Sequence, residues 1–214
     1  MRNSRYNTAI LVPVKPLAVA KSRLAPAVPP EEREKLALSL ASRVLAVAVQ
    51  TGVGVFVVTS DPTVAEAALD LSASVVSDPG ICIRLGQGSP RALNTALEVG
   101  AAAVYKNGYE SALIVPSDLP YVCVADLLAA MRRPGEDGIV IAPSIEGGGT
   151  NALTLRLPPP IPFSFGPDSF HRHLSAAFER GLPVRVLRRK GLSFDLDTPS
   201  QIYECVQIRS CTGG

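Results

Sequence analysis

Short apolar runs rich in β-branched residues alternate with longer helical patterns along almost the whole chain, and this alternation most restricts the folds open to it. Six runs predict strands, at residues 8–14, 53–59, 73–77, 112–115, 138–142 and 184–187. Most are continuously apolar, which is typical of parallel strands buried on both faces. Helical patterns lie between them, at residues 31–50, 62–71, 90–105 and 122–132. We therefore predict an α/β fold, with a mostly parallel sheet covered by helices on both faces.

Capping residues and prolines mark where helices begin. Asp61-Pro62, Ser89-Pro90 and Thr198-Pro199 each place a capping side chain before a proline suited to the first turn. Gly166-Pro167 predicts another start with Gly166 as the cap, and Gly181 predicts the end of that helix. No linker divides the 214 residues. We predict a single domain over 1–214, with its core at about 8–207.

Composition excludes several classes of protein. A formal net charge of +2 is too small to predict binding to nucleic acid or to a membrane surface. Apolar runs stay below the roughly 18 residues that span a bilayer. Pro13, Lys15 and Pro16 interrupt an N-terminal segment that otherwise resembles a secretory signal. Because the four cysteines lack metal-ligand spacing, we expect reduced thiols in a cytoplasmic protein.

A group of cations follows the first predicted strand. Residues 1–30 contain no acidic side chain, and Lys15, Lys21 and Arg23 come directly after that strand. Ligands of open α/β sheets bind at the carboxyl ends of the strands, and lysine and arginine together suit a polyphosphate. A solvated basic loop is the alternative. The position after the strand favours an anionic ligand.

Three aspartates are candidate magnesium ligands. Asp118 follows the fourth predicted strand between two prolines, where it either lies beside a bound phosphate or caps the next turn. Asp195 and Asp197 point to the same side of an extended segment, so they repel each other unless a cation lies between them. That cation is either Mg²⁺ or one of the basic residues at 188–190. An N-capping acid with a surface salt bridge is the alternative interpretation.

Two segments are suited to hold an anion through backbone N–H groups. Residues 146–151 (EGGGTN) contain three glycines, which a hairpin tip explains equally well. Residues 165–169 (FGPDS) open a predicted helix, and a helix N-terminus attracts phosphate. His171 and His173 lie two positions apart in that helix, so they do not share a face. We predict that both histidines are surface residues.

Seven motifs in order along the chain resemble the 2-phospho-L-lactate/phosphoenolpyruvate guanylyltransferases of coenzyme F420 biosynthesis. They are VPVKPL at 12–17, AKSRL at 20–24, ALNTAL at 92–97, SDLP at 117–120, GGTNAL at 148–153, FGPDS at 165–169 and DLDTP at 195–199. The resemblance implies a Rossmann-like nucleotidyltransferase fold. It also implies transfer of GMP from GTP to 2-phospho-L-lactate or phosphoenolpyruvate, with release of pyrophosphate and with Mg²⁺ as cofactor.

The same resemblance implies roles for individual residues. The residues expected to bind Mg²⁺ are Asp118, Asp195 and Asp197. Those expected to bind the nucleotide are Lys15, Lys21, Arg23, Asn94 and Ser117. Those expected to bind the phosphate of the acceptor are Thr150, Gly166 and Ser169. Catalysis is assigned to Lys21, Arg23 and Asp118. Residues 87–91 (QGSPR) depart from the compact Gly-Leu-Asn of the family, which leaves the residues that select guanine open.

Two other functions fit parts of the pattern. A sugar-phosphate nucleotidylyltransferase or a nucleotide-sugar glycosyltransferase would use the same kind of sheet, and would bind a hexose phosphate or a sugar nucleotide. A non-catalytic nucleotide-binding module would bind GTP without releasing pyrophosphate. The sequence leaves the acceptor open among 2-phospho-L-lactate, phosphoenolpyruvate and 3-phospho-D-glycerate. It also leaves the oligomeric state open, a homodimer included.

Overall fold

A seven-stranded mixed sheet organises the part of the chain that the structure, a computed structural model, describes: residues 7–77, 89–145 and 148–201. The strands are β1 (Thr8–Pro13), β2 (Val55–Thr59), β3 (Ser74–Ser77), β4 (Ser111–Ile114), β5 (Ile139–Pro143), β6 (Thr150–Arg156) and β7 (Val184–Val186). The helices are α1 (Pro30–Val49), α2 (Pro62–Asp70), α3 (Pro90–Lys106), α4 (Val124–Ala130), α5 (Ser169–Glu179) and α6 (Lys190–Ser193).

The predicted α/β architecture is confirmed. All six predicted strands and the four helices predicted from apolar patterns are present, with ends within two residues of the predicted ones, and the helix predicted between Gly166 and Gly181 is α5. The strands lie in the order β3-β2-β1-β4-β6-β5-β7. Parallel pairing joins β3, β2, β1 and β4, and also joins β5 to β7. The predicted core over 8–207 extends past residue 201, where the described part of the chain ends. Glu146 and Gly147, in the glycine segment that was predicted to hold an anion, also lie outside the described residues.

One strand was missed by the sequence analysis. β6 begins at Thr150, inside the segment that the glycines mark as a loop, and runs antiparallel to both β4 and β5. Because its direction is reversed, its first residues lie at the edge where β1, β4 and β5 end. The available signal was the mostly apolar run of residues 152–155 (ALTL), which includes a β-branched threonine.

Of the four predicted helix caps, Asp61 and Ser89 are confirmed and Gly166 is wrong, whereas Thr198 lies at the end of the described residues with its Oγ1 2.9 Å from Ser200 Oγ. Asp61 Oδ1 accepts hydrogen bonds from the N–H groups of Thr63 and Val64 at the start of α2, and Ser89 Oγ accepts one from the second residue beyond Pro90. The cap of α5 is Asp168, not Gly166 as predicted. Gly166 has a φ of +123°, so it forms the turn that precedes the helix instead.

Two apolar layers enclose the sheet. Helices α1, α2 and α4 pack on one face and α3 and α5 on the other, as predicted. Successive residues of β1 enter opposite layers: Ile10 and Val12 pack with α1, whereas Ala9 and Leu11 pack with α3. Among the helices of the described residues, none is long and apolar enough to cross a membrane. The layers fix the strands, so the loops at the carboxyl edge of the parallel strands have a rigid base.

Candidate active site

The loop after β1 is tied to the neighbouring strand ends. It contains two 3-10 turns, Leu17–Val19 and Ser22–Leu24, whose leucines 17 and 24 are buried. Asp61, which follows β2, accepts a 2.8 Å hydrogen bond from the backbone N–H of Leu17. Lys21, between the two turns, has a φ of +53°, in the left-handed region that is unfavourable for a residue with a side chain. The loop therefore holds Lys21 in a defined position.

Lys21 lies between two of the predicted aspartates. Its Nζ is 2.7 Å from Asp118 Oδ2 and 3.1 Å from Asp197 Oδ1, and only 6% of its side chain is exposed. Burial alone would lower the pKa of Lys21, but Asp118 and Asp197 outweigh burial and raise the pKa above its ordinary value. Lys21 is therefore held as a charged ammonium group, and it links the loop after β1 to the loop after β4 and to the segment after α6.

The second cation of this loop lies further out. Arg23 Nη1 is 3.4 Å from Asp197 Oδ2, and its side chain is largely exposed. Burial would raise the pKa of Asp197, but Lys21, Arg23 and Lys15 lower it below its ordinary value. Lys15 is itself exposed. The structure thus brings the three predicted cations to one carboxylate, with Lys15 and Arg23 facing solvent, where a polyanion has access to both.

Asp195 carries the least compensated charge of the three aspartates. Its Oδ1 accepts a 3.2 Å hydrogen bond from Asn151 Nδ2, at the start of β6. Burial, then the negative charge of Asp118, and further Asp197, raise the pKa of Asp195 above its ordinary value. Asn151, which the sequence analysis left without a role, also donates to the Ser193 carbonyl and so fixes the end of α6 against β6.

The extended segment 194–197 alternates as predicted. Phe194 and Leu196 are buried in an apolar cluster, whereas Asp195 and Asp197 are only partly buried, and the charge of Asp197 contributes to the raised pKa of Asp195. The sequence leaves the cation between these two carboxylates open between Mg²⁺ and a basic residue at 188–190. In the structure Lys21 pairs with Asp197 and Asp118 and does not bridge Asp197 to Asp195. Arg189 pairs with Asp126 at 2.5 Å on the neighbouring helix α4.

The donor set at this edge is chemically suited to Mg²⁺, which prefers carboxylate oxygens. Burial and the neighbouring charge of Asp118 disfavour the ionised form of Asp195 and raise its pKa, and a bound divalent cation would favour the ionised form. Within residues 7–77, 89–145 and 148–201, however, no three His, Cys, Asp or Glu side chains are grouped closely enough to hold a metal ion. Lys21 takes the position of a cation between Asp118 and Asp197. The metal assignment of the three aspartates therefore stays a prediction.

The three residues predicted to bind the acceptor phosphate lie on two adjoining segments. Thr150 is the first residue of β6, and Ser169 is the first residue of α5 and is 1% exposed. The two segments are joined, because the Phe170 N–H donates a 3.1 Å hydrogen bond to the Gly148 carbonyl. Gly166 precedes α5 with its positive φ. The helix N-terminus and the start of β6 thus form one polar corner.

His173 was predicted to be a surface residue, and that prediction is wrong. His173 is 0% exposed, whereas His171 is exposed as predicted. The Nδ1 of His173 is 3.1 Å from Thr150 Oγ1, and the Nε2 of His173 accepts a 2.9 Å hydrogen bond from the Ser164 N–H. Burial, with a further contribution from the charge of Arg172, lowers the pKa of His173 to about 4. The strongly amphipathic sequence of α5 was the available signal, since position 173 falls on its apolar side with Phe170 and Ala177.

Asn94 joins α3 to the segment before α5. Its Nδ2 donates to the Phe165 carbonyl at 3.1 Å, and its Oδ1 accepts from the Phe165 N–H at 2.8 Å. These two bonds engage half of the hydrogen-bonding capacity of the amide. Ser117 is half-buried beside Asp118. The predicted contacts of Asn94 and Ser117 with a nucleotide stay predictions.

Residues 8–210, almost the whole chain, match the model of a protein family described as "Guanylyl transferase CofC like". The chain belongs to this CofC-like guanylyl transferase family. The family resemblance carried by the sequence motifs is thereby confirmed. Within the family, the chain is 39% identical to the phosphoenolpyruvate guanylyltransferase of Sphaerobacter thermophilus over 199 residues, 92% of this chain and 91% of the relative.

A second CofC-like relative and a solved structure extend the comparison. The chain is 33% identical to the 2-phospho-L-lactate guanylyltransferase of Methanothermobacter thermautotrophicus, over 93% of this chain and 84% of the relative. A solved nucleotidyl transferase from the same species superimposes with a TM-score of 0.64 at 17% identity, covering 98% of this chain and 100% of that chain. The fold is therefore that of a nucleotidyltransferase, as expected.

Proposed function

We propose that the protein transfers GMP from GTP to a small phosphorylated three-carbon acid and releases pyrophosphate, as a step of coenzyme F420 biosynthesis. Membership of the CofC-like guanylyl transferase family is the observation that carries the proposal. The site geometry supports it, because cations and carboxylates from three segments meet at the edge of the sheet where nucleotides bind in open α/β folds.

Phosphoenolpyruvate is the acceptor that we favour. Identity to the phosphoenolpyruvate guanylyltransferase reported above is 39%, against 33% to the 2-phospho-L-lactate guanylyltransferase. Both acceptors carry a phosphate and a carboxylate. The polar corner of Thr150, Gly166 and Ser169 suits the phosphate, because it combines two hydroxyl groups with the positive end of the α5 dipole, which favours an anion.

The proposed reaction is a displacement at the α-phosphorus of GTP. A phosphate oxygen of the acceptor forms a bond to that phosphorus, while the bond to the bridging oxygen of the β-phosphate breaks and its electron pair leaves with pyrophosphate. The attacking phosphate is already ionised at neutral pH, so no general base is needed. This chemistry requires alignment and charge neutralisation more than proton transfer.

The chain's own groups divide this work. Lys21 and Arg23, with Lys15, would neutralise the phosphates of GTP, and Asn94 and Ser117 would complete the nucleotide site. Asp118, Asp195 and Asp197 would hold Mg²⁺, which supplies charge neutralisation at the reacting phosphate when it is bound. Lys21 has a second task in this scheme, because its ammonium group keeps Asp118 and Asp197 close together before substrates bind.

Pyrophosphate release tests the proposal directly. The purified protein would be incubated with Mg²⁺ and GTP and, in parallel, with phosphoenolpyruvate, 2-phospho-L-lactate or 3-phospho-D-glycerate, with ATP as the nucleotide control. We expect release with GTP and phosphoenolpyruvate, and a product that contains one GMP per acceptor. If a folded protein that still binds GTP released no pyrophosphate with any of the three acceptors, the proposed function would be refuted.

Chelation tests the metal assignment separately. We expect EDTA to abolish the reaction and added Mg²⁺ to restore it. Substitution of Asp195 by Asn should raise the concentration of Mg²⁺ needed for half-maximal activity, because it removes a charged oxygen ligand. Activity that persists in EDTA would contradict the assignment while leaving the guanylyl transfer itself intact.

A further inference from the structure

The hydrogen bonds around His173 fix its tautomer. A backbone N–H can only donate, so the Nε2 that accepts from Ser164 carries no proton. His173 is fully buried and neutral, since burial lowers its pKa to about 4. Its single ring proton therefore lies on Nδ1, the atom that faces Thr150 Oγ1 at 3.1 Å. Within this pair His173 is the donor and Thr150 is the acceptor.

This assignment leaves the hydroxyl proton of Thr150 available. Thr150 is 6% exposed, and among the described residues His173 is its side chain's hydrogen-bond partner. A buried hydroxyl proton without an acceptor is unfavourable. Thr150 lies two residues after Gly148, whose carbonyl accepts a hydrogen bond from the first turn of α5, the turn that begins with the buried Ser169. An anion bound at the N-terminus of α5 would supply the missing acceptor.

We propose that His173 is a positioning residue of the acceptor site: by donating Nδ1–H to Thr150 Oγ1, it turns the Thr150 hydroxyl proton toward a phosphate oxygen of the three-carbon acid. This inference rests on the proposed function and assigns His173 a task within it. Without His173 the hydroxyl is free to rotate and to accept a hydrogen bond, an orientation that repels an anion.

Two substitutions separate the two hydrogen bonds of the imidazole. His173→Asn places an amide nitrogen near the position of Nδ1 and retains a donor for Thr150. His173→Gln reaches the position of Nε2, retains an acceptor for the Ser164 N–H, and removes the donor. We expect His173→Gln to raise KM for the acceptor about tenfold, the worth of one hydrogen bond to a charged group. We expect the KM for GTP to be unchanged and His173→Asn to restore the KM for the acceptor.

A double-mutant cycle tests whether His173 acts through Thr150. Thr150→Val alone should raise the KM for the acceptor by a similar factor, and the Thr150→Val/His173→Gln double variant should show no further rise. Additive losses, or an equal rise in KM for GTP, would overturn the inference. If the wild-type protein transfers no GMP to any of the three acceptors, the proposed function fails, and the inference fails with it.

The tautomer provides a readout that does not depend on activity. In the ¹⁵N-histidine spectrum of the wild-type protein at neutral pH, we expect His173 to show a protonated Nδ1 and an unprotonated Nε2. The assignment can be made by comparison with His173→Asn. The opposite tautomer, or a protonated imidazolium, would overturn the inference even if guanylyl transfer is observed.

Discussion

Burial of His173 makes the stability of the protein depend on pH in a defined window. The pKa of His173 falls from its ordinary value of 6.5 to about 4 in the folded protein. Between these two pH values, His173 binds a proton in the unfolded chain but not in the folded protein. Stability is therefore lost as the pH falls below 6.5 toward 4, and it is regained as the pH rises.

The magnitude follows from the two pKa values. A displacement from 6.5 to about 4 corresponds to about 3 kcal/mol of unfolding free energy over the whole window. About 2 kcal/mol of it falls between about pH 7 and about pH 5, where urea unfolding can be measured before the carboxylates titrate extensively. This amount is large against the 5–15 kcal/mol of total stability that is usual for a domain.

The assay compares the wild-type protein with His173→Asn and His173→Gln, neither of which titrates at position 173. All other ionisable groups are shared, so their contributions cancel when the pH dependences are subtracted. We expect the wild-type protein to lose about 2 kcal/mol more than either variant between about pH 7 and about pH 5. Parallel losses in the three proteins would refute the conclusion that His173 is buried and neutral.

Three substitutions test other features of the fold and site. Asp118→Asn should lower turnover by about 100-fold or more, because it removes a carboxylate that the proposed reaction needs. The melting temperature should change by only a few degrees, and near-normal turnover would refute the catalytic role of Asp118. Lys21→Met leaves Asp118 and Asp197 without their shared cation. It should lower the free energy of unfolding in urea by about 1–3 kcal/mol, less than for a fully buried ion pair because both carboxylates are partly exposed. Gly191→Ala would place a Cβ against Asp126 Oδ2 and 2.8 Å from the Tyr121 carbonyl oxygen, and should lower the melting temperature by an amount equivalent to about 1–3 kcal/mol; an unchanged melting temperature would contradict this packing.

Local pattern was sufficient to predict most of the fold. The apolar strands and the Asp61-Pro62 and Ser89-Pro90 starts are local features, and the structure has them where the sequence predicts them. β6 was missed because its first residue follows three glycines and because its antiparallel pairing depends on β4 and β5. A pairing direction is a property of the whole sheet and leaves a weak trace in one segment.

The charged groups were predicted individually, but their pairings were not. The sequence identified Lys21, Asp118 and Asp197 as functional candidates, yet their contacts join residues 97 and 176 positions apart. The left-handed conformation of Lys21 likewise depends on the folded chain, whereas the burial of His173 is indicated by the amphipathic pattern of α5. Residue type and position after a strand predict where a site lies, whereas the partners within it require the folded chain.

The antiparallel junction of β4 with β6 also has an evolutionary consequence. It divides the sheet into two contiguous stretches of chain: the strands up to Ile114 support the lysine loop, and those from Ile139 onward support the corner at Thr150 and Ser169. If the lysine loop serves the nucleotide and the corner at Thr150 and Ser169 serves the acceptor, as proposed, mutations that alter acceptor preference can accumulate at that corner while the lysine loop stays under selection for one nucleotide. Relatives named for different phosphoacids would then be expected to differ more around Thr150 and Ser169 than around Lys21. The two hydrogen bonds between Asn94 and Phe165 limit such divergence, because they join the two stretches and are lost if either side changes alone.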